Sequence, residues 1–121
     1  MPHTERYAEL LATVPVFKSL PADVLKTLSH QAQSRTFWPG EKMVEQGVAS
    51  HELFLLLDGE CKIVVQDDEV GFGRDLYHIL PGDHFGESAL LTGEPSAASV
   101  VAVTAGEVLT LHGSVLSGLL K

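Results

Sequence analysis

Residues 85–100 read Phe-Gly-Glu-Ser-Ala-Leu-Leu-Thr-Gly-Glu-Pro-Ser-Ala-Ala-Ser-Val, and these residue types suit an anion-binding turn. Gly86, directly after an aromatic residue, lets the backbone turn closely against a ligand. A short helix beginning at Glu87 would point the N–H groups of Ser88 and Ala89 at an anion, because the first amides of a helix have no intrahelical partner. The Glu87 carboxylate would accept a hydrogen bond from a sugar hydroxyl. The stretch by itself fits two interpretations: half of a phosphate-binding site, or one turn of helix over residues 87–92 whose Leu90 and Leu91 pack into the core.

The same half of the chain lacks the cation that such a site needs. A carboxylate beside a bound phosphate is repulsive, and an arginine that bonds the phosphate through two N–H groups would offset this repulsion. Position 96 supplies only a serine hydroxyl, and no lysine or arginine occurs between Asp75 and Leu120. Arg74, just before this region, is a candidate substitute cation. We expect weak or altered binding of an anionic ligand.

Short apolar runs separated by turns follow one another from Gln33 onward. The turns contain Pro-Gly, Asp-Gly or Ala-Gly pairs, and the runs have the length of strands: residues 53–57, 61–65, 76–80, 99–104 and 107–111. Strands at this spacing predict a mainly β fold, an antiparallel β-barrel or jelly roll. Residues 66–74, which are acidic and glycine-containing, are predicted to be a mobile loop.

Helices are predicted at both ends of these strands. Apolar side chains recur at helical spacing before Pro15, and a second helix is predicted to begin at Pro21. The buried faces of these two helices would be formed by Tyr7, Leu10, Leu11, Val14, Val24, Leu25 and Leu28. A final amphipathic helix is predicted from Ser114, so the strands lie between two helical ends.

Several of these motifs resemble those of cyclic nucleotide-binding domains, the family of the catabolite activator and the protein kinase A regulatory subunit. Residues 85–91, followed by Pro-x-Ala-Ala-x-Val, are similar to the phosphate-binding cassette of that family. Residues 16–20 look like its Phe-x-x-Leu corner, and residues 37–41, 45–47 and 56–60 look like its successive barrel turns. The resemblance covers nearly the whole chain. It departs from the family at Ser96, where the family has an arginine.

The resemblance implies one domain over residues 1–121. N-terminal helices would occupy residues 1–31, the β-barrel residues 32–112, with the cassette-like segment at 85–100, and the start of a C-terminal helix residues 113–121. The ligand would be cAMP or cGMP, with Glu87 on the ribose 2′-hydroxyl. The ligand-binding residues would be Phe85, Gly86, Glu87, Ser88, Ala89, Ser96 and Ala97.

The family resemblance also implies a regulatory or sensory module. Such a module would form part of a larger protein and act on an effector domain in the same chain or a partner chain. The alternative is a degenerate member that keeps the fold as a structural or protein-interaction unit and binds no nucleotide. The charge at position 96 discriminates between these two hypotheses.

Composition limits which binding partners and which cellular compartment are expected. The net charge is −8, with 16 acidic against 8 basic residues, so nucleic acid and anionic membranes are poor partners for this chain. No apolar run is long enough to span a bilayer, and the start does not resemble a signal peptide. The single cysteine, Cys61, excludes an internal disulfide. We expect a cytoplasmic protein or the cytoplasmic part of a membrane protein.

Metal binding and catalysis are both weakly supported by the sequence. His84 and Glu87 are the two metal-ligating residue types that lie close together, and a tight site needs three or four. Residues 86–90 lack the closing glycine of a nucleophile elbow, and residues 71–73 lack the third glycine of a dinucleotide-binding loop. We therefore expect no metal site and no enzymatic activity.

Overall fold

A computed structural model of the chain describes residues 2–67, 72–86 and 93–115. The N-terminal part contains α1 (Pro2–Leu11), a 3-10 turn (Pro15–Phe17) and α2 (Ala22–Gln31). Residues 113–115 are helical, where the final helix was predicted, and residues 116–121 lie outside the described part. Pro21 is the N-cap of α2, as expected for a residue with a fixed φ and no amide hydrogen.

Eight antiparallel strands are formed by the described residues between these helical ends. They are β1 (Gln33–Phe37), β2 (Lys42–Val44), β3 (Glu52–Asp58), β4 (Cys61–Asp67), β5 (Phe72–Ile79), β6 (His84–Phe85), β7 (Ser99–Ala102) and β8 (Gly106–His112). One sheet has the order β1-β8-β3-β6, and the other has the order β2-β7-β4-β5. The predicted jelly roll is confirmed. Within the described ranges no strand pairing joins the two sheets, so the fold is a pair of packed sheets and not a closed barrel.

The two sheets enclose the first hydrophobic cluster, to which every strand contributes. Its fully buried members are Phe37, Val44, Phe54, Leu56, Cys61, Ile79, Phe85, Val100, Ala102 and Val108. Side chains alternate between the two faces of a strand, so the residues next to these along each strand point to the outer face of their sheet. Contact across the inner faces is what holds the two sheets together.

A second hydrophobic cluster lies on the other face of the β1-β8-β3-β6 sheet, under the N-terminal helices. The sheet contributes leucines from β3 and β8, and the helical layer contributes Leu11, Val14, Phe17 and Leu28. Phe17 is fully buried, and Leu20, at the other end of the Phe-x-x-Leu segment, packs against the same cluster. Val115, in the first turn of the final helix, also packs here. Both helical ends of the described chain therefore share one core.

The prediction of a mobile loop over residues 66–74 is wrong for most of that segment. Strands β4 and β5 form a long antiparallel pair whose register runs from Cys61↔Ile79 to Asp67↔Phe72. Backbone hydrogen bonds stabilise this hairpin whatever side chains face the solvent, which is why its acidic composition was misleading. The tip, residues 68–71, lies outside the described residues.

The adjacent aromatic residues Phe37 and Trp38 provide a test of the inner core. Phe37 is fully buried between the sheets, whereas Trp38 is 73% exposed in the following turn. We expect Phe37→Ala to lower the free energy of unfolding by about 3–5 kcal/mol, because it removes a buried ring and leaves a cavity. Trp38→Ala should change it by less than about 0.5 kcal/mol. Urea unfolding followed by circular dichroism measures both, and equal losses would contradict this core assignment.

Candidate functional site

The predicted cassette begins at the end of β6 and ends at the start of β7. Phe85, on β6, is buried and stacks on Phe54 of β3, with ring centroids 4.9 Å apart and an interplanar angle of 10°. The two residues are also direct partners in the strand register. This aromatic pair holds the entry of the cassette against the inner face of the sheet.

Gly86 is required at its position for two reasons. Its φ is +92°, in the region that side chains with a Cβ rarely adopt. A Cβ there would lie 2.8 Å from the backbone oxygen of Glu52 and 3.2 Å from Cδ2 of Phe54. The backbone at Gly86 is therefore packed directly on β3, as expected for a glycine that allows a close approach.

The central residues of the predicted site, Glu87, Ser88 and Ala89, lie in the segment 87–92, outside the described residues. Their sugar-binding and phosphate-binding roles remain predictions. The structure describes both flanks of that segment, with Phe85 and Gly86 before it and residues from 93 onward after it.

Ser96 lies on the second flank, where its backbone is bound to the segment that follows β2. Its amide donates to the carbonyl of Val48 (3.1 Å), and its carbonyl accepts from the amide of Gly47 (2.8 Å). A β-bridge joins the neighbouring Pro95 to Ala49. Residues 45–51, which we term the β2–β3 connection, therefore contact the exit of the cassette through residues 47–49. Glu52, the first residue of β3, places its carbonyl beside Gly86 at the entry.

The side chain of Ser96 is directed back to its own chain. Its Oγ donates a hydrogen bond to the carbonyl of Ala98 (2.7 Å) and accepts one from the Ala98 amide (3.4 Å). Ser96 is half-buried, and Ala97 beside it is exposed. The hydroxyl that stands where the family has an arginine is thus used in a local turn.

A cavity of about 320 Å³ lies beside these flanks, between β2, the β2–β3 connection and β3. Its lining includes the charged residues Lys42, Glu45 and Glu52 together with Phe54.

A second cavity, of about 440 Å³, lies beside β2, β4 and β7. None of the described site residues predicted from sequence lines either cavity. The lining of the larger cavity lies at the exit flank, at Gly47 and Ser99. We assign the smaller cavity to the site because its lining lies next to both flanks: Val48 is hydrogen-bonded to Ser96, and a Cβ at Gly86 would meet Glu52 and Phe54.

Sequence reasoning missed four charged residues in or beside this cavity: Lys42, Glu45, Glu52 and Arg35. Glu52 lines it, and Arg35 of β1 places Nη1 3.9 Å from Glu52 Oε1 and Cζ 5.5 Å from the centroid of the Phe54 ring. Arg35 and Glu52 are distant in sequence and meet because β1 and β3 both pair with β8. Arg74, the substitute cation proposed from sequence, lies on β5 opposite Val65, and its side chain is outside the description.

Metal binding and thiol chemistry find little support in the part of the chain that the structure describes. That part contains no group of three or more His, Cys, Asp or Glu side chains arranged to hold a metal, and Glu87 lies outside it. Cys61 is fully buried, and burial, with a smaller effect from the Glu60 charge, raises the pKa of its thiol to about 11. Such a thiol remains protonated and unreactive near neutral pH. None of the described helices is long and apolar enough to cross a membrane.

A glycine pair tests the close approach at the cassette entry. Gly86 and Gly82 both have a positive φ, but a Cβ at Gly82 would meet nothing within 4 Å. Both alanine substitutions should therefore be strained by about 1–2 kcal/mol. Gly86→Ala should lower the free energy of unfolding by a further 1–3 kcal/mol, roughly, because Glu52 and Phe54 must move. Denaturant titration measures the difference, and equal losses would mean that Gly86 does not pack on β3.

Comparison of the sequence with known proteins identifies a family. The model of the cyclic nucleotide-binding domain matches residues 34–121. A cAMP-dependent protein kinase regulatory subunit from Colletotrichum orbiculare is 32% identical over 115 residues, which are 94% of this chain and 28% of that protein.

Solved structures share the fold. The regulatory domain of Toxoplasma gondii PKA, crystallised with cAMP, has a TM-score of 0.87 at 22% identity, over 98% of this chain and 46% of that one. The regulatory subunit of a cAMP-independent protein kinase A from Trypanosoma cruzi, bound to guanosine, has a TM-score of 0.84 at 26% identity, over 98% of this chain and 42% of that one. The chain belongs to the cyclic nucleotide-binding domain family.

Proposed function

We propose that this chain is the ligand-sensing module of a larger regulatory protein. The observation that carries the proposal is Gly86, whose left-handed backbone packs on β3 beside a cavity of about 320 Å³. This packing would bring the start of the cassette beside the cavity, whose volume is typical of small-molecule sites. The β2–β3 connection holds the opposite flank at Ser96.

The ligand would sit against the cassette, between its two flanks. Phe85 and Gly86 would support it from β6, and Ser96 and Ala97 would border it at the exit. By the family resemblance, Glu87 would accept a hydrogen bond from a ribose hydroxyl, while the amides of Ser88 and Ala89 would face the rest of the ribose-phosphate end. A nucleotide or nucleoside is supported as the ligand class by two similar structures, one with cAMP and one bound to guanosine.

The β2–β3 connection offers a route from this site to an effector. The carbonyl of His51 accepts a hydrogen bond from the Gly113 amide (2.7 Å), and the His51 and His112 rings stack with centroids 6.5 Å apart. Gly113 opens the final helix, so the same connection contacts both the cassette and the start of that helix. Ligand binding would bias the helix, and through it an effector domain in the same chain or a partner chain.

The role is regulatory and not catalytic. The fungal relative is a kinase regulatory subunit, of which this chain spans 28%, so the effector itself would lie elsewhere. A cytoplasmic location, or attachment on the cytoplasmic side of a membrane protein, fits this role. Neither metal nor organic cofactor is required for it.

A second candidate is a degenerate module that binds no nucleotide. The hydrogen bond from the Ser96 hydroxyl to the Ala98 carbonyl favours this candidate. The side chain at the position expected to contact phosphate instead stabilises a local turn. The two functions differ in whether any nucleoside or nucleotide binds.

A ligand screen decides between them. Adenosine, guanosine, cAMP and cGMP are each added at about 1 mM to the chain, and the melting temperature is measured, because a ligand that binds only the folded state stabilises it. We expect at least one to raise it. Glu87→Ala should weaken binding of that ligand roughly tenfold to hundredfold through loss of a charge-assisted hydrogen bond.

Glu9→Ala, an exposed position on α1, is the matched control and should bind as the wild type does. If none of the four ligands changes the melting temperature, the degenerate module is the correct function.

A further inference from the structure

We infer that the end of the jelly roll remote from the cassette is a docking surface for an arginine-containing polypeptide segment of a partner protein. This surface, which we term the turn end, consists of residues 38–41, 59–60, 80–83 and 103–105, which connect successive strands. The cassette lies after β6 and before β7, whereas the turn end lies before β6 and after β7. The two surfaces are at opposite ends of these strands, so the docking surface does not depend on the proposed function.

Hydrogen bonds join the four turns into one continuous surface. The Gly40 amide donates to the carbonyl of Ala102 (2.8 Å), and the Val103 amide donates to the carbonyl of Glu60 (2.8 Å). The Glu60 carboxylate in turn contacts Nδ1 of His78, close to the start of the β5–β6 turn. One partner segment laid across this end would therefore contact all four turns.

Exposed apolar side chains are concentrated on the turn end. Trp38 is 73% exposed, Leu80 53% and Val103 38%, and none of the three belongs to either hydrophobic cluster. Among the described residues only two other large apolar side chains are comparably exposed, so three of the five lie in these short turns. A group of apolar side chains rimmed by polar residues is typical of an interaction site, and tryptophan is enriched at the centre of such sites.

The same end of the molecule is acidic. The four turns contain no lysine or arginine. The nearest bases along the sequence are Lys42, whose Nζ lies 4.0 Å from Oε1 of Glu45 beyond the far end of β2, and Lys62, inside β4. Five acidic residues lie in the turns or at the strand ends beside them: Glu41, Asp58, Glu60, Asp83 and Glu107.

Two of these acids face each other. Asp58 and Glu107 are direct partners in the register between β3 and β8, and like charges at opposed positions destabilise a sheet. Neither carboxylate makes an ion pair with a residue that the structure describes. The adjacent register pair is Phe37↔Gly106, so Trp38 follows directly beside the two acids. A cation from a partner would relieve their repulsion, and the opposed acids therefore indicate a basic ligand.

Arginine suits both the indole and the carboxylates. A guanidinium stacks on the face of an indole ring and donates two hydrogen bonds to a carboxylate. Trp38 lies next to Asp58 and Glu107, so one or two arginines of an extended segment would reach all three. Apolar residues between the arginines would cover Leu80 and Val103. Nucleic acids and anionic lipids carry no such cation, and the acids of the turn end would repel them.

Tryptophan fluorescence with a defined peptide tests this inference on the full chain. Trp38 is the only tryptophan, so its emission reports directly on the turn end. The probe is a peptide of four Arg-Gly-Leu repeats, which contains no aromatic residue. We expect it to change the Trp38 emission with the same dissociation constant that polarisation of a fluorescein-labelled copy gives. Added salt should weaken binding, because it screens an attraction. A peptide of four Glu-Gly-Leu repeats should not bind.

Substitutions give a second readout, measured by polarisation. Asp58→Asn combined with Glu107→Gln should weaken peptide binding roughly threefold to tenfold, because two carboxylates lose their charge. Glu9→Gln combined with Asp23→Asn is the matched control, because it removes the same two charges from exposed positions on α1 and α2 and should leave binding unchanged. Trp38→Ala should weaken binding about fivefold or more through loss of the stacking surface.

The melting temperature separates lost binding from lost folding. Neutralising Asp58 and Glu107 should not lower it, because two like charges no longer face each other. A lower melting temperature would contradict the like-charge contact on which the inference rests. Equal losses of affinity in the two double variants would overturn the inference, since net charge and not the turn end would then decide. Peptide binding that leaves the Trp38 emission unchanged, or no binding at millimolar peptide, would overturn it as well.

Discussion

Strand β3 is the element on which the rest of this structure depends, because it is buried on both faces. Its four central residues are 1–2% exposed. Phe54 and Leu56 enter the cluster between the sheets, whereas Leu53 and Leu55 enter the cluster beneath the helices. A shift of register by one residue would exchange the two sets, placing Phe54 among the helices. Burial on both faces thus sets the register of the whole sheet.

The functional site inherits its geometry from the same strand. The Phe85 ring stacks on the Phe54 ring, and the backbone of Gly86 packs beside the carbonyl of Glu52. The residues that precede β3 clamp the other flank at Ser96, and His51 contacts the first residue of the final helix. One continuous segment therefore touches both flanks of the cassette and the helix that would transmit a signal. The proposed ligand site and the start of the final helix are thus adjacent along the backbone.

Particular residues explain which predictions from sequence were confirmed. The turn pairs and apolar runs indicated a jelly roll because turn chemistry and strand periodicity are local properties. Residues 66–74, where β4 and β5 pair towards the tip of their hairpin, were mistaken for a loop, because their acidic and glycine-containing sequence has no apolar alternation to detect. Strands β2 and β6 have three and two residues and were too short to be recognised as apolar runs in the sequence.

The sequence by itself determined the family, the position of the cassette and the absence of an arginine at residue 96, since each is written in consecutive residues. Only the tertiary structure decided where the remaining charges point. Arg35 and Glu52 meet across β8, and the Ser96 hydroxyl is turned to Ala98. Such contacts depend on strand order and on local backbone angles, which pairwise spacing along a chain does not specify.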